Sequence, residues 1–301
     1  LIISNCNIES NAKTLVFCNN LNIINSEIKG LLYIENDPNY LIGIKTEGEI
    51  IKLENTNLIN IEFQATKTYI IDNCIFEHYC GFNSVGDGQI SNTKFKNLKR
   101  DIIFWHLKIT NCEVYSNETN FCRLHAYYCT IEDTKFENIN DITLYDTNLK
   151  NSTIYKVLEL EMRENNRFES IVFDKCNSIL LYGGNNKIYN STFSNNTYNK
   201  EENQSESFIK YIIGKKDQLN TIIEGCLFKN IIVSKGFVIE LSCFKKIKDI
   251  RVKIENCIFK NCKSENKSLV KLEDFYYPKF SKNSRHLILG QEKNNIGIEN
   301  I

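Results

Sequence analysis

Apolar and polar positions alternate along the chain in short runs, and one six-residue pattern recurs from end to end. It consists of an aliphatic residue, any residue, Asn, a small residue, any residue and a large apolar residue. It first reads as the segment 3–8, Ile-Ser-Asn-Cys-Asn-Ile, and returns late as 254–259, Ile-Glu-Asn-Cys-Ile-Phe. From Asn73 to Asn92, and again from Asn92 to Asn111, the interval is 19 residues. A period of this length predicts one coil of a parallel β-helix per repeat.

The residue types explain the repeat. Strand alternation sends the aliphatic residue before Asn, the small residue after it and the large apolar residue all inward, but only if the chain bends at Asn. Asn suits a left-handed bend, and stacked Asn side chains can hydrogen bond from coil to coil. Asp133, Asp174 and Gly225 are interpreted as substitutes at the same bend. The predicted Asn ladder comprises Asn5, Asn25, Asn55, Asn73, Asn92, Asn111, Asn151, Asn190 and Asn256.

The predicted fold is therefore all-β: a right-handed parallel β-helix of about a dozen coils, forming one domain over residues 1–301. Longer intervals between bends predict loop insertions near 36–40, 195–207 and 275–285. A leucine-rich repeat has a similar period, but its LxxLxL run does not recur here. The ends fall within the pattern at Leu1 and Ile301, so we expect a piece of a longer chain.

Charge and composition narrow the function. The 37 basic and 37 acidic residues balance, which argues against a nucleic-acid groove or an anionic-membrane surface driven by net charge. No run of 18 apolar residues predicts a membrane span. The 12 cysteines include no CxxC pair, so a structural zinc site is not predicted. Cysteines at the small inward position are expected to be free thiol fillers, with pairing of Cys226 and Cys257 left open.

The catalytic chemistry known in parallel β-helices requires carboxylates that converge on one outer face. The outward positions beside the Asn ladder instead vary between Glu, Lys, Asn, Ile and Thr from coil to coil. The sequence predicts no catalytic residue, no metal and no cofactor. It favours a non-catalytic chain, although the enzyme alternative stays open.

The middle coils are rich in aromatic residues. Counting back along the alternation from the next Asn-type bend sends Phe104, His106 and Tyr128 outward and Trp105 and Tyr127 inward. A bend within either stretch would reverse the count. Outward rings on neighbouring coils could form a binding platform, whereas the alternative is ring stacking inside the solenoid. The candidate binding residues are Phe104, His106, Tyr115 and Tyr128.

The repeated segment Asn-Cys-Ile-Phe, at 73–76 and 256–259, resembles the pectin-lyase-like β-helix surface proteins. These include adhesin-like chains and the scaffold-type β-helix repeats of AT-rich anaerobic eukaryotes. The resemblance covers nearly the whole chain and implies a secreted or cell-surface module that docks protein or glycan partners. Its alternative implication is a polysaccharide lyase or glycoside hydrolase of the same fold.

Overall fold

The computed structural model divides the chain into two compact units, Leu1–Ile142 and Thr143–Ile301. Each unit is described by itself, and the single domain that the sequence predicts stays a prediction. The structure describes residues 1–10, 14–18, 21–30, 42–46, 50–65, 68–78, 80–84, 86–97, 101–117, 123–198, 207–212, 218–233, 236–242, 249–264, 268–273 and 297–300. The predicted insertions near 36–40 and 275–285, and most of that at 195–207, lie outside these ranges.

In the first unit every third strand belongs to the same sheet. Sheet A contains β1, β4, β7, β10, β13, β16 and β19; sheet B contains β2, β5, β8, β11, β14, β17 and β20; sheet C contains β3, β6, β9, β12, β15 and β18. The strands are β1 (Ile2–Ser4), β2 (Asn7–Ser10), β3 (Thr14–Cys18), β4 (Leu21–Ile24), β5 (Glu27–Gly30), β6 (Ile42–Thr46), β7 (Ile50–Glu54), β8 (Asn57–Ile59), β9 (Ile61–Ala65), β10 (Thr68–Asp72), β11 (Ile75–Glu77), β12 (Gly81–Ser84), β13 (Asp87–Ser91), β14 (Lys94–Lys96), β15 (Ile102–Trp105), β16 (Leu107–Thr110), β17 (Glu113–Tyr115), β18 (Arg123–Tyr127), β19 (Thr130–Glu132) and β20 (Lys135–Glu137). The next strand, β21 (Asp141–Tyr145), contains the boundary between the units.

The second unit repeats the plan with a small fourth sheet. Its sheet A contains β22, β25, β28, β32 and β36; sheet B contains β23, β26, β29, β33 and β37; sheet C contains β24, β27, β31, β35, β39 and β40; sheet D contains β30, β34 and β38. The strands are β22 (Asn148–Lys150), β23 (Thr153–Tyr155), β24 (Glu159–Arg163), β25 (Arg167–Glu169), β26 (Val172–Asp174), β27 (Ser178–Tyr182), β28 (Gly184–Tyr189), β29 (Thr192–Ser194), β30 (Thr197–Tyr198), β31 (Ile209–Ile212), β32 (Gln218–Glu224), β33 (Leu227–Lys229), β34 (Ile232–Val233), β35 (Ile239–Ser242), β36 (Asp249–Glu255), β37 (Ile258–Lys260), β38 (Lys263–Ser264), β39 (Ser268–Glu273) and β40 (Gly297–Asn300).

The predicted fold class, an all-β parallel solenoid, is confirmed because the strands pair in parallel at coil-to-coil register, as β10 does with β13. Sheet A has seven described strands in the first unit and five in the second, so each unit by itself contains fewer coils than the single run of about a dozen that the sequence predicts. Within the described ranges, no helix has the length and apolarity needed to cross a bilayer.

The bend between sheets A and B is a left-handed residue in successive coils. All nine residues of the proposed Asn ladder have φ between 47° and 52°. Asp133 and Gly225 share this backbone conformation, with φ of 51° and 66°. The placement of Asp174 at this bend was wrong: Asp174 ends β26, and the bend of that coil is Ser170, with φ 58°. A bulky Ile171 at the normally small position disguised the repeat there.

Amide hydrogen bonds link the first coils along the bend. In three steps the Nδ2 of one Asn donates to the Oδ1 of the Asn one coil earlier: Asn25 to Asn5 at 3.3 Å, Asn55 to Asn25 at 3.0 Å and Asn73 to Asn55 at 2.7 Å. The next step departs from this pattern, because Asn92 Nδ2 donates to Asp72 Oδ1 at 2.8 Å. Asp72 also accepts from Ser91 Oγ, and the bonds from Ser91 and Asn92 lower the pKa of its carboxyl group.

The small residue after the bend has a specific hydrogen-bonding role. Its hydroxyl or thiol donates to the carbonyl two residues earlier, across the bend, as Thr93 does to Ser91 at 2.7 Å and Cys112 to Thr110 at 3.2 Å. Cys, Ser and Thr interchange at this position because each combines small volume with such a donor. The described cysteines are free thiols; Cys226 Sγ donates to the Glu224 carbonyl at 3.4 Å and Cys257 Sγ to the Glu255 carbonyl at 3.3 Å.

Columns of like residues fill the interior. Ile71, Ile90 and Ile109 are aligned in register and buried in the first unit, as the repeat predicts. In the second unit Phe193 stacks between Phe173 and Phe228, with both centroid separations 4.7 Å. This separation matches the distance between hydrogen-bonded strands, so each coil contributes one ring to a continuous stack.

Candidate binding site

Phe104 does not belong to the outer surface, and its outward placement is corrected. Its side chain is 0% exposed and lies in the core, edge-to-face with Phe95 at 5.6 Å. The reason is a bend at His106, where φ is 56° between β15 and β16. This bend resets the alternation, so a count carried back across it is reversed for the preceding residues.

The bends at His106 and Tyr128 place Trp105 and Tyr127 on the outer side of sheet C, although the count from sequence sent both inward. The two residues are paired in register, and their rings stack at 4.5 Å. Tyr127 precedes a second bend of the same kind, at Tyr128. Both side chains are half-buried because they lie against each other and their neighbours.

His106 and Tyr128 occupy equivalent bends one coil apart, and together they form the aromatic corner. Both have φ of 56°, and their rings stack with centroids 4.9 Å apart. The His106 side chain is 46% exposed and Tyr128 is 51% exposed. Trp105 lies behind them, with its ring 5.8 Å from that of Tyr128. The corner is therefore a pair of solvent-facing rings supported by a half-buried pair.

The aromatic corner stores backbone strain. Most of the non-glycine residues with positive φ are Asn, which tolerates this conformation, whereas Tyr128 is a bulky ring in the same region. Such a residue costs about 1–3 kcal/mol, and strained residues of this kind cluster at functional sites. Two rings at positions where Asn would be cheaper point to a selected surface.

A groove of about 620 Å³ runs beside the aromatic corner over the outer face of sheet A. Its floor follows one register column across four strands: Ile70, Gln89, Lys108 and Thr130. His106 and Tyr128 form one side, with Asp87, and Glu132 contributes at the other end. The groove thus combines ring surface, an amide, a hydroxyl and charged groups of both signs.

The charges in the groove are spread along it. His106 Nδ1 lies 3.8 Å from Asp87 Oδ1, whose side chain is almost fully exposed. Lys108 contributes the ammonium group, and Glu132 a second carboxylate. In the part of the chain that the structure describes, no cluster of three or more His, Cys, Asp or Glu residues could hold a metal ion. These groups can bind hydroxyl-rich ligands through donors and acceptors together.

Two of the four candidate binding residues line this groove, His106 and Tyr128. Tyr115 ends β17 on sheet B, in register with Lys96 and Glu137, and does not line the groove. Sequence analysis missed Gln89 and Lys108, which are ordinary outward polar residues. Each lies three residues before the Asn of its bend, Asn92 or Asn111. This shared spacing is the only signal in the sequence that aligns them.

A second ring cluster, in the second unit, is internally satisfied. The Arg163 guanidinium lies over the rings of Tyr145 and Tyr182, at 5.5 and 4.7 Å, and pairs with Glu161 at 2.6 Å. Tyr182 Oη donates to Glu161 at 3.3 Å. Burial, followed by the Glu161 charge, raises the pKa of Tyr182 to about 12. Because each charged group already has a partner, this arrangement fastens neighbouring coils together.

Comparison with known proteins gives only remote likenesses. No family model matches the chain, and no curated protein matches it. One solved structure, the catalytic unit of a thermostable GH87 α-1,3-glucanase from Streptomyces thermodiastaticus, is 7% identical with a TM-score of 0.39. The match covers 99% of this chain and 63% of the glucanase chain.

A second solved structure is QnrB1, a plasmid-mediated fluoroquinolone resistance protein, with 12% identity and a TM-score of 0.16. That match covers 65% of this chain and 84% of the other. Neither score establishes a shared fold, and neither likeness assigns an activity to this chain.

Proposed function

We propose that the chain is a non-catalytic, extracellular binding module that docks a glycan in the groove beside the aromatic corner. The observation that carries the proposal is the strained, stacked and half-exposed pair of His106 and Tyr128. Most left-handed bends of the described chain hold Asn, and the bends that follow sheet C in other described coils hold Asp146, Glu164 and Gly183 rather than an aromatic residue. A binding role explains why two rings stand there instead.

The groove suits a sugar chain. Apolar faces of sugar rings can pack against the aromatic corner, while hydroxyl groups exchange hydrogen bonds with Gln89, Lys108 and Thr130. The floor column crosses four strands, and strands lie about 4.8 Å apart, so the groove is about 14 Å long. A linear segment of two or three sugar rings fits that length.

We expect His106→Asn and Tyr128→Asn each to weaken polysaccharide binding about tenfold or more, because each removes ring contact at the centre of the site. Folding should be retained, since Asn accepts the left-handed bend. Affinity electrophoresis in gels containing pectins, β-glucans, α-glucans or xylans measures the retardation of each variant.

His78→Asn is the matched control. His78 is also an exposed histidine with positive φ in the first unit, at 62°, but it lies outside the groove. Its substitution should leave retardation unchanged. Equal retardation of all variants would place glycan binding elsewhere. Release of reducing ends or unsaturated products by the purified chain would instead support the lyase or hydrolase alternative and overturn the non-catalytic proposal.

A further inference from the structure

On sheet B, on the bend that follows it and on sheet D, the second unit exposes lysines that have no acidic partner. The lysine face consists of Lys156, Lys175, Lys229, Lys260 and Lys263. All five are exposed, and among the described residues none forms an ion pair. Lys229 and Lys260 are direct neighbours in register, a like-charge arrangement that destabilises a sheet.

A second pair of lysines lies close together at the bends that follow sheet B. Lys156 and Lys175 occupy consecutive bends with φ of 52° and 56°. Both ammonium groups lie near the Tyr155 ring, at 5.2 and 5.4 Å, and Lys175 Nζ donates to Tyr155 Oη at 3.3 Å. Lys156 and Lys175 thus both contact Tyr155, and their two positive charges lie close together at these bends.

Sheet B of the first unit provides the contrast. There Lys94 pairs with Glu113 at 3.1 Å and Lys96 with Glu77 at 3.4 Å. The balanced net charge of the chain therefore conceals a local excess on the second unit. The single carboxylate within the lysine face, Asp174, accepts hydrogen bonds from Ser194 and Asn195.

Exposed aliphatic residues lie among these lysines. Leu158, Val172, Ile232 and Ile258 are between 41% and 52% exposed, and they are the exposed large hydrophobic residues of the described second unit. Ile232 is in register with Lys263, and Val172 and Ile258 stand in the strand column beside the lysines. The lysines and aliphatic residues occupy four of five consecutive coils, about 19 Å along the stack, and the β29 coil between them has Thr192 and Ser194 at the corresponding positions.

We propose that the lysine face docks on an anionic phospholipid surface. Lysine is depleted from protein–protein interfaces, which argues against a protein partner. Lysines mixed with aliphatic side chains suit a bilayer surface: the aliphatic groups enter the boundary with the acyl chains while the ammonium groups meet anionic headgroups. This surface is distinct from the glycan groove, which lies in the first unit.

Co-sedimentation of the full chain with vesicles tests the proposal. We expect association with phosphatidylcholine vesicles that contain phosphatidylserine, loss of association at high salt, and none with phosphatidylcholine alone. Lys229→Gln with Lys260→Gln should weaken partitioning about thirtyfold, from about 1 kcal/mol per lysine. Ile258→Ser should weaken it several-fold without changing charge.

The matched control is Lys94→Gln with Lys135→Gln, which removes two exposed lysines from sheet B of the first unit, where both pair with glutamate. It should partition like the unaltered chain, as should His106→Asn. Absence of association with phosphatidylserine vesicles, or equal partitioning of both double variants, would overturn the proposal. Retention on immobilised polygalacturonate that requires Lys229 and Lys260, without vesicle binding, would assign the surface to a linear polyanion instead.

Discussion

Replacing Gly184 with Ala should destabilise the second unit by about 3 kcal/mol or more, the largest effect we expect from adding one methyl group. Gly184 begins β28 with φ of 69°, a conformation that costs a side-chain-bearing residue about 1–2 kcal/mol. A Cβ there would lie 2.3 Å from the Glu164 carbonyl oxygen and 2.6 Å from its carbon. Both are backbone atoms of the previous coil, so relief requires separating two coils.

Gly225→Ala separates the cost of a side chain at positive φ from the cost of the clash with the backbone of the previous coil. Gly225 has nearly the same φ, 66°, but its added Cβ would meet only the side-chain oxygen of Asn190, at 2.5 Å. That oxygen can rotate away, so the expected loss is about 1–2 kcal/mol. Urea unfolding followed by circular dichroism compares the variants. Equal midpoints for the two would contradict the close approach of coils at Gly184.

Stability should fall steeply in mild alkali because five interior thiols resist ionisation. Burial raises the pKa of Cys74, Cys112 and Cys129 from 9.0 to about 11, and that of Cys80 and Cys176 to about 12. Between these values the folded chain binds more protons than the unfolded chain, so stability is lost as pH rises. By pH 10 each thiol should cost about 1.4 kcal/mol, and together they should cost several.

Serine substitution tests whether the buried thiols cause the loss of stability at alkaline pH. Ser occupies the equivalent position in other coils and does not titrate near pH 10. Free energies of unfolding measured from pH 8 to pH 10 should decline less in Cys74→Ser with Cys112→Ser, by about 3 kcal/mol at the upper end. Cys6 is exposed, so Cys6→Ser should keep the full decline. An identical decline in all three chains would show that the buried thiols do not govern it.

The fold could be predicted because one bend has a strict chemical requirement. The residue between sheets A and B must adopt positive φ, and Asn meets this need so regularly that its spacing reveals each coil. Ser170 escaped detection because the pattern requires Asn at the bend and a small residue after it, whereas this coil has Ser170 and the bulky Ile171. Division into two compact units has no such local signature, since the same repeat continues through both.

The candidate site was only half predictable. His106 and Tyr128 were found as outward aromatic residues, but their own left-handed conformation reversed the count for residues before them. The reversed count therefore placed Phe104 outside, although it is buried, and Trp105 inside, although it is only half-buried. Tyr gives no signal of such a bend in a sequence. The groove floor depends on register between four coils, which spacing alone does not single out from other outward columns.

Fluorescence of Trp105 provides the most direct test of glycan docking at the aromatic corner. It is the single tryptophan of the chain, and its ring lies 5.8 Å from Tyr128 and 6.1 Å from His106. Soluble oligosaccharides from the polysaccharide that retards the chain should cause a saturable change in emission. The affinity obtained from this titration should be unchanged in His78→Asn and about tenfold lower in Tyr128→Asn. Unchanged emission at oligosaccharide concentrations that block retardation would show that the glycan binds away from this corner.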